Sequence, residues 1–370
     1  MAHLLITGGA GFLGSHTCLE LLLAGHSLVV LDDFSNSGPE ALSRVAELAA
    51  LEGWQTLEEG HRWSSARSAP SRLSLQRGDV RSARDLAEVF DKGEGIDGVL
   101  HFAGLKAVGE SLRAPLRYWD VNVAGTLSLL QAMARAGCRT IVFSSSATVY
   151  GQPEAVPIPE TAPVRPINPY GHSKAAVERM LEDLAASEPL WRIARLRYFN
   201  PVGAHPSGRI GEDPRSTPTN LFPLLLQVAT GRRERLQVFG TDWPTGDGSG
   251  VRDFIHVMDL AEGHRAALDL LLAEAPQLLT VNLGSGRGHS VLEVVRCFEA
   301  VSGCRIPWVS EGRREGDSAV SIADPQAALE RMGWSTKRSL ADICRDGWSW
   351  QQANPWGYRS ASRGGCLQAR

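Results

Sequence analysis

The feature that most constrains this chain is an alternation of short β-branched runs with longer amphipathic segments, up to about residue 200. Short strands separated by helix-length segments favour a parallel sheet with helices on both faces. The predicted fold class is therefore α/β, built on a doubly wound parallel sheet. The runs predicted to be strands are Leu4 to Thr7, Leu28 to Asp32, Leu73 to Gln76, Val99 to Phe102, Thr140 to Ser144 and Arg192 to Tyr198.

A glycine-rich loop follows the first predicted strand and opens the apolar helix predicted at Phe12 to Leu23. Gly8, Gly11 and Gly14 allow backbone amides to approach a pyrophosphate at the positive end of that helix. A tight strand-to-helix turn without a ligand would show the same glycines, so the loop alone is weak support. Combined with the alternating strands, it favours a Rossmann-type sheet that binds a dinucleotide.

Two aspartates follow the next strands. Asp32 ends the second strand, where a carboxylate accepts hydrogen bonds from the adenosine ribose and repels a 2′-phosphate, which favours NAD over NADP. Asp79 follows the third strand and is predicted to meet the adenine. An aspartate after a strand is also a common helix cap, and this alternative stays open. The position of Asp79 beside Val80 favours binding.

A tyrosine and a lysine four residues apart point to chemistry on a hydroxyl group. Pro169 suits the first position of a helix, so Tyr170 and Lys174 would share one helical face. An ammonium, the helix dipole and an oxidised nicotinamide would each lower the pKa of the phenol, which makes Tyr170 a candidate base. Ser146, at the end of the fifth strand, can donate a hydrogen bond to the same substrate oxygen. The alternative is a packing tyrosine and a solvated lysine.

Composition limits the partners. The 370 residues are 43% hydrophobic and carry a formal charge of −3, with no strongly basic stretch, so neither nucleic acid nor a membrane is expected as partner. No apolar run approaches the ~20 residues of a membrane span and no basic leader precedes the first strand, so a cytoplasmic protein is expected. Six scattered cysteines form no CxxC pair, so no metal and no disulfide are expected.

A second domain is predicted after Asn200, where Pro, Gly and charged residues become frequent. Residues 1–200, rejoined by 257–282, are predicted to form the NAD-binding Rossmann domain. Residues 201–256 and 283–358 are predicted to form a smaller, discontinuous α/β domain for the substrate. Glu52 to Pro70 is predicted to be a surface insertion and 359–370 a disordered tail.

Several segments carry a family resemblance: Thr7 to Gly14, His101 to Ser111, Ser144 to Gly151, Leu196 to Pro201, Val251 to Asp253 and Arg313 to Asp317. These segments closely resemble the UDP-glucose 4-epimerases, a family of extended short-chain dehydrogenases/reductases. The likeness runs from about residue 2 to about residue 358 and leaves out only the insertion and the tail.

The resemblance implies roles for individual residues. It implies that Ser146, Tyr170 and Lys174 are catalytic, with Tyr170 as the base. The residues implied to hold NAD are Gly8, Gly11, Phe12, Leu13, Gly14, Asp32, Asp33, Phe34, Asn36, Ser37, Asp79, Val80, Phe102, Ala103, Gly104, Lys106, Asn122, Ser146, Tyr170, Lys174 and Phe199. The residues implied to hold a UDP-sugar are Lys106, Ser146, Tyr170, Asn200, Asn220, Leu221, Gln237, Val238, Phe239, Arg252, Arg314, Asp317 and Ser321.

The resemblance also implies the reaction, a reversible C4 epimerisation of UDP-glucose and UDP-galactose. Tyr170 would take the C4 hydroxyl proton as the C4 hydride passes to NAD⁺, the 4-keto sugar would turn over, and the hydride would return to the opposite face. NAD is then regenerated and acts as a bound prosthetic group. A homodimer is expected, with residues 112–135 and 172–188 as contact helices by resemblance.

Three positions depart from the family pattern. His172 stands where lysine is common, but off the catalytic face, and little effect is expected. Thr219 replaces the first of two asparagines, which leaves Asn220 in the substrate-binding place. Ser321 aligns with a position where a tyrosine excludes, and a smaller residue admits, an N-acetyl group at the sugar C2. The resemblance thus implies that the N-acetylated sugars are also substrates, unless residues 318–320 close the space.

Two other readings are weaker. A nucleotide-sugar 4,6-dehydratase shares the fold and the Tyr-x-x-x-Lys pair but needs carboxylates after the fifth strand, where this chain has Ser145, Ser146 and Ala147. Decarboxylase and reductase relatives are disfavoured by Asn220, Arg252 and Arg314. A non-catalytic NAD-binding regulator is disfavoured because the whole catalytic set is present.

Overall fold

The computed structural model of the protein describes residues 1–52, 72–91, 95–215, 218–314 and 316–358. The predicted insertion, apart from its first residue Glu52, lies outside these ranges, and so does the predicted tail 359–370.

The described residues form strands and helices along the whole chain. The strands are β1 (His3–Thr7), β2 (Ser27–Asp32), β3 (Leu73–Arg77), β4 (Gly98–His101), β5 (Thr140–Ser146), β6 (Arg192–Tyr198), β7 (Asn200–Val202), β8 (Leu236–Phe239), β9 (Val251–His256), β10 (Leu278–Leu283), β11 (Gly288–Ser290), β12 (Trp308–Glu311) and β13 (Val320–Ser321). The helices are α1 (Phe12–Leu23), α2 (Glu40–Leu48), α3 (Ala83–Asp91), α4 (Val108–Arg113), α5 (Pro115–Tyr118), α6 (Gly125–Arg135), α7 (Pro169–Ser187), α8 (Leu221–Ala229), α9 (Val257–Ala273), α10 (Val291–Ser302), α11 (Gln326–Met332) and α12 (Leu340–Ala353). A π-helix, Trp119–Ala124, joins α5 to α6, and a short 3-10 helix, Ala147–Tyr150, follows β5.

The main sheet is parallel and has seven strands in the order β10-β6-β5-β4-β1-β2-β3. It contains every strand predicted from the alternating pattern. The chain builds outwards from β1 first on one side and then on the other, so the strand order reverses between β1 and β4. Ligands of such sheets bind beyond the carboxyl ends of the strands at this reversal. The predicted fold class is confirmed.

The alternation of side chains along the strands explains why helices cover both faces. In β1, Leu4 and Ile6 belong to the core under α1, α2 and α9, whereas Leu5 belongs to the core under α3, α6 and α7. All three leucine and isoleucine side chains are fully buried. A strand that is apolar on both faces can only lie inside such a three-layer structure.

A smaller α/β region follows the main sheet in the chain. β9 is the centre of a four-stranded sheet, with β7 and β13 parallel to it and β11 antiparallel. β8 and β12 form a separate parallel pair. Helices α8, α10 and α12 pack around a third core that includes Phe222, Val238 and Phe298.

The chain returns to the main sheet after β9. Helix α9 packs on α1, and β10 pairs with β6 at the edge of the sheet. The smaller region is therefore built from two separated stretches of sequence. The limits of the two predicted domains stay a prediction.

In the part of the chain that the structure describes, no helix combines the length and the hydropathy of a membrane span. Across the same residues, no group of three or more His, Cys, Asp or Glu side chains is arranged to hold a metal ion.

Candidate active site

A cavity of about 880 Å³ opens beyond the carboxyl ends of the central strands. It runs from the loop after β2, past the start of α1, to the catalytic helix α7. The predicted site residues that line it are Gly8, Gly11, Phe12, Leu13, Gly14, Asp32, Asp33, Asn36, Ser37, Asp79, Val80, Phe102, Ala103, Gly104, Lys106, Tyr170, Lys174 and Asn220. One cavity thus brings together residues spread over more than half of the sequence.

The glycine loop is shaped by a close backbone approach. Gly8 has a φ of +69°, and a Cβ added there would lie 2.7 Å from the backbone nitrogen of Ala103 after β4. Only glycine meets both conditions without strain. The glycine loop therefore packs directly against the backbone that follows β4. Gly11 and Phe12, at the positive end of α1, line the cavity.

Asp32 is a buried carboxylate held in one orientation. It accepts hydrogen bonds from the backbone nitrogens of Ala10 and Phe34, both at 2.9 Å, and from the Ser37 hydroxyl at 2.8 Å. Burial raises the pKa of Asp32, and these hydrogen bonds oppose the rise. A fixed acceptor at the end of β2 is the arrangement that ribose hydroxyls require.

Asp79 lines the cavity but is bound to a neighbour. Its carboxylate accepts from the Arg81 guanidinium, with a shortest distance of 2.5 Å, and this contact holds the pKa of Asp79 below its usual value. The helix-cap alternative does not describe it. The Ser82 hydroxyl, and not Asp79, accepts from the backbone nitrogen of Asp85 in the first turn of α3.

The catalytic pair lies in the first turns of α7. The helix begins at Pro169 as predicted, and the side chain of Asn168 caps it by accepting from the backbone nitrogen of Gly171 at 2.9 Å. Tyr170 and Lys174 are both buried, and the Tyr170 phenol lies beside the Ser146 hydroxyl, which accepts from the Thr148 hydroxyl at 3.0 Å. The cap and the proline fix the start of the helix, and therefore the position of the phenol at the end of β5.

The charges around Tyr170 differ from the prediction. Burial raises the pKa of Tyr170, and only the neighbouring Ser146 hydroxyl opposes the rise. The Lys174 ammonium donates to the Ser144 carbonyl at 2.7 Å and lies 6.0 Å from the centre of the Tyr170 ring, too far to dominate. Burial lowers the pKa of Lys174 itself to about 8, while Glu178 opposes that shift. Within the protein chain alone, desolvation of the phenol therefore raises its pKa. The predicted lowering also counts the charge of an oxidised nicotinamide, and it stays a prediction for the protein with NAD bound.

A buried ion pair lies next to the predicted catalytic residues. The Glu178 carboxylate, one turn after Lys174, accepts from the Arg197 guanidinium at 2.6 Å, and both side chains are 4% exposed. The same carboxylate accepts from the Ser145 hydroxyl at 2.5 Å, and Arg197 also donates to the Tyr150 hydroxyl at 3.1 Å. The ends of β5 and β6 are thereby tied to α7.

A second group of predicted residues lies in the smaller region, outside the lining of the cavity. The Arg314 guanidinium stacks 3.7 Å from the centre of the Phe239 ring. Arg252 lies 3.8 Å from Asp317, and Ser321 is its register partner in the β9–β13 pair. A partly buried guanidinium, that of Arg252, and an exposed one, that of Arg314, share the Asp317 carboxylate, so positive charge is in excess among the described residues of this group. We call Phe239, Arg252, Arg314 and Asp317 the arginine cluster.

The two strand residues beside Phe239 are placed differently. Val238 is buried in the core of the smaller region, so only its backbone can face a ligand. Gln237 is exposed and donates to Glu311 at 3.2 Å. It borders a separate, shallower cavity of about 380 Å³.

The remaining predicted residues also lie outside the lining of the main cavity. Asn122 acts on the loop after β4, because its amide accepts from the Leu105 nitrogen at 2.7 Å and donates to the Leu105 carbonyl at 3.1 Å. Phe34 follows Asp32 with a φ of +58°. The others are Ser146 at the end of β5, Phe199 in a small core beside Val149, Asn200 at the start of β7, and Leu221 at the start of α8.

Sequence reasoning missed one wall of the cavity. Residues 211–215 line it opposite the loop after β2, together with Tyr358 near the end of α12. Lys106 pairs there with Glu212 at 3.0 Å. Residues 211–215 belong to a stretch interpreted only as an irregular loop, and Tyr358 is the last residue of the predicted substrate domain. Nothing in their composition indicated that they fold back on the Rossmann sheet.

The cavity suits the predicted dinucleotide in its donors and acceptors. The start of α1 suits a pyrophosphate, and Asp32 suits the hydroxyls of a ribose. At the other end, Lys174 uses one of its three donors on Ser144, so two remain for a second ribose. The residues present therefore fit NAD.

Comparisons with known proteins agree with this geometry. Residues 4–284 match the NAD dependent epimerase/dehydratase family. The chain is 49% identical to the UDP-glucose 4-epimerase of Bacillus subtilis (strain 168) over 358 residues, covering 97% of this chain and 99% of the relative. The resemblance inferred from the sequence is confirmed.

Solved structures give the same result. The UDP-glucose 4-epimerase from Stenotrophomonas maltophila, with bound NAD and formylated UDP-arabinopyranose, is 45% identical and superposes with a TM-score of 0.87, over 96% of this chain and 99% of that one. The enzyme from Bifidobacterium longum in complex with NAD⁺ and UDP is 42% identical, with the same TM-score and the same coverage. The glycine loop and the capped helix α7 agree with the family match and with the full-length likeness to these enzymes, and the chain belongs to the NAD dependent epimerase/dehydratase family.

Proposed function

We propose that the protein interconverts UDP-glucose and UDP-galactose by inverting C4, with NAD held tightly throughout. The observation that carries this proposal is the buried Tyr170 phenol, which lies beside Ser146 and is followed by Lys174, at the end of a cavity that fits a dinucleotide. The full-length likeness to UDP-glucose 4-epimerases from several organisms supports it.

In the proposed reaction, Tyr170 removes the proton of the C4 hydroxyl while the Ser146 hydroxyl holds the same oxygen. NAD⁺, when bound, accepts the C4 hydride and adds a positive charge beside the phenol. Lys174, held by the Ser144 carbonyl, orients the cofactor and favours the phenolate. The 4-keto sugar then turns over, and Tyr170 returns the proton after hydride has reached the opposite face.

The arginine cluster is the proposed anchor for the UDP group. Guanidiniums bind diphosphates by planar, two-point donation, and among the residues that the structure describes Asp317 is the carboxylate that acts on both Arg252 and Arg314. The Phe239 ring beneath Arg314 offers a flat apolar surface for a base. Holding the sugar through its nucleotide leaves the hexose free to turn.

We further propose that Ser321 admits an N-acetyl group at C2. Register partners in a parallel pair present their side chains on the same face of the sheet, so Ser321 lies beside Arg252. A hydroxymethyl group there leaves the space that a tyrosine would fill. UDP-N-acetylglucosamine and UDP-N-acetylgalactosamine would then also be substrates.

We also infer that the protein works in the cytoplasm as a homodimer. Leu112, Leu116, Trp119 and Leu127, in the helical stretch from α4 to α6, are 53%, 80%, 41% and 44% exposed. Such apolar exposure on neighbouring turns is typical of a surface that is covered in the working protein. Sedimentation of the parent and of Leu116→Glu tests it, and a parent that sediments as a monomer at micromolar concentration contradicts the inference.

The central experiment measures turnover of UDP-galactose by the purified protein with no NAD added, with products separated by chromatography. Conversion to UDP-glucose without added cofactor is expected. Tyr170→Phe should lower kcat by about 10²- to 10⁴-fold, because the base is lost, while NAD remains bound. The proposal fails if the parent does not react even with NAD supplied, or if Tyr170→Phe turns over like the parent.

The Ser321 proposal needs the N-acetylated substrate. The parent should epimerise UDP-N-acetylgalactosamine, and Ser321→Tyr should lose this activity while keeping that on UDP-galactose. Ser335→Tyr, on an exposed loop between α11 and α12, is the matched control and should keep both activities. A Ser321→Tyr variant that still epimerises the N-acetylated sugar would contradict the proposal.

A further inference from the structure

The wall of the cavity formed by residues 211–215 comes from a distant part of the chain. We call these residues the strap. The strap follows β7 of the smaller region, yet it lines the same cavity as Asp32, Asn36 and Ser37 of the Rossmann sheet. A dinucleotide held at Asp32 would lie between the loop after β2 and the strap.

Two contacts tie the strap directly to the Rossmann sheet. Glu212 accepts from the Lys106 ammonium at 3.0 Å, and Arg215 donates to the Phe34 carbonyl at 3.0 Å. Lys106 and Phe34 follow β4 and β2, on either side of β1. Both contacts use solvent-accessible side chains, and exposed ion pairs contribute little. They do not by themselves explain a closed wall.

The stronger support comes from Tyr358, beyond the end of α12. Its hydroxyl donates to the Gly211 carbonyl and accepts from the Gly211 nitrogen, both at 3.1 Å. Its backbone nitrogen donates to the Asp213 carboxylate at 2.9 Å. One residue therefore holds the strap at both of these positions.

Arg44 fixes Tyr358 in turn. Its guanidinium lies 4.9 Å from the centre of the Tyr358 ring and 5.6 Å from that of Trp350. The same guanidinium donates to the Asn354 side chain at 2.5 Å and to the Arg209 carbonyl at 2.9 Å, just before the strap. Arg44 is on α2, directly after the loop that follows Asp32. We call Arg44 and Tyr358 the clasp. The clasp connects the loop after β2 to the strap, and a dinucleotide would lie between these two segments.

We propose that Arg44 and Tyr358 are positioning residues that hold the strap closed over the dinucleotide cavity, and so retain NAD between turnovers. This inference rests on the proposed function, in which NAD is regenerated in place and gains nothing by leaving. Release of the cofactor requires the strap to move away from the loop after β2. That movement breaks the bonds of Tyr358 to Gly211 and Asp213, and the contacts of Arg44 make Tyr358 costly to displace.

The test compares cofactor release in Tyr358→Phe and Arg44→Ala with release in the parent. Purified full-length proteins are diluted into an enzymatic trap that consumes free NAD, and the half-time of loss is measured together with the NAD content per chain. Tyr358→Phe keeps the ring but loses two hydrogen bonds, and about fivefold faster release is expected. Arg44→Ala also loses both ring contacts, and release more than about tenfold faster is expected.

Further variants separate positioning from general stability. Arg84→Ala removes an exposed arginine on α3, whose side chain is 86% exposed, and should release NAD like the parent. Arg44→Lys keeps the cation over the rings and should restore part of the retention. With saturating NAD added, kcat of Arg44→Ala should return to the parent value, because Arg44 neither lines the cavity nor lies at the reacting atoms.

Three results are decisive. Parent-like release from both Tyr358→Phe and Arg44→Ala overturns the inference. Val295→Ala removes a buried side chain from the core of the smaller region and is compared with a clasp variant at an equal loss of thermal midpoint. The inference is also overturned if Val295→Ala speeds NAD release as much as that clasp variant does. A parent that carries no NAD and binds none contradicts the proposed function itself, a result distinct from the other two.

Discussion

The two halves of the site hold their charges in opposite ways. Behind the cofactor cavity, Glu178 and Arg197 are both almost fully buried, lie 2.6 Å apart and share further bonds with Ser145 and Tyr150. In the arginine cluster, Arg252 is 3.8 Å from Asp317, and the exposed Arg314 guanidinium stacks on the Phe239 ring. The first set is complete within the protein. The second has capacity left for an anion.

The difference follows from the role that the proposed function gives to each half of the site. A base and a hydroxyl donor act only if they are held within a fraction of an ångström of the reacting oxygen, and a satisfied, buried network provides that rigidity. A diphosphate anchor must exchange substrate and product, so its cations should meet their strongest partner only when the ligand arrives. Buried polar groups with all bonds made stabilise a structure, whereas groups with bonds left over select a ligand.

The largest effect expected from this comparison is on stability. Glu178→Gln leaves the Arg197 guanidinium buried without a counter-charge, which should lower the free energy of unfolding by about 3 kcal/mol. Urea denaturation measures it. The matched control is Glu154→Gln. Glu154 pairs with Arg165 at 2.9 Å and the Arg165 side chain is 70% exposed, so a change below about 0.5 kcal/mol in the free energy of unfolding is expected. Equal losses for the two variants would remove the contrast between the halves.

The arginine cluster should respond in binding and not in stability. Arg252→Ala should weaken UDP binding about ten- to a hundredfold, because it removes a bidentate donor to the diphosphate. Calorimetric titration with UDP measures this loss. NAD content and the thermal midpoint should stay close to those of the parent, since the Asp317 carboxylate loses only a loose partner. An Arg252→Ala variant that loses its NAD, or that binds UDP as tightly as the parent, would contradict the assignment of UDP binding to the arginine cluster.

A pH dependence of stability is expected in the cofactor half alone. Burial lowers the pKa of Lys174 from 10.5 to about 8, so between these values the unfolded chain binds more protons there than the native protein. Stability that depends on Lys174 therefore rises with pH in this window, by at most about 1.4 kcal/mol per pH unit.

Unfolding of NAD-free protein at pH 8 to 10 measures this dependence. The parent should gain stability relative to Lys174→Met as pH rises. Arg252→Met is the matched control in the other half, and the difference between this variant and the parent should not change over the window, because a guanidinium stays charged throughout. A parent and a Lys174→Met variant with parallel profiles would show that Lys174 keeps its ordinary pKa.

Local signals predicted the cofactor half well. The strands alternate with helices in the sequence, and the ends of consecutive parallel strands meet at one edge, so Asp32, Asp79 and the glycine loop could be placed together. Pro169 marked the start of α7, and helical spacing placed Lys174 one turn after Tyr170. The smaller region gave no such pattern. Its site residues come from separate loops and short strands, and only the family resemblance indicated Arg252 and Arg314.

Two points were outside what the sequence could supply. The pKa of Tyr170 depends on how completely the phenol is buried, and this depends on the packing of α5 and β5 against α7. The wall of the cavity formed by the strap and Tyr358 depends on contacts between residues almost 150 positions apart in the chain. Neither composition nor periodicity records such contacts.

The sequence by itself determined the sheet, the helix that carries the catalytic pair and the preference for a dinucleotide, because these follow from periodicity, caps and residue chemistry within short windows. Only the tertiary structure decided which charges are buried, which of them are satisfied, and which distant segments close the cavity. Desolvation and long-range hydrogen bonds depend on what surrounds a group in space, and the neighbours of a residue in space are fixed only when the whole chain has folded.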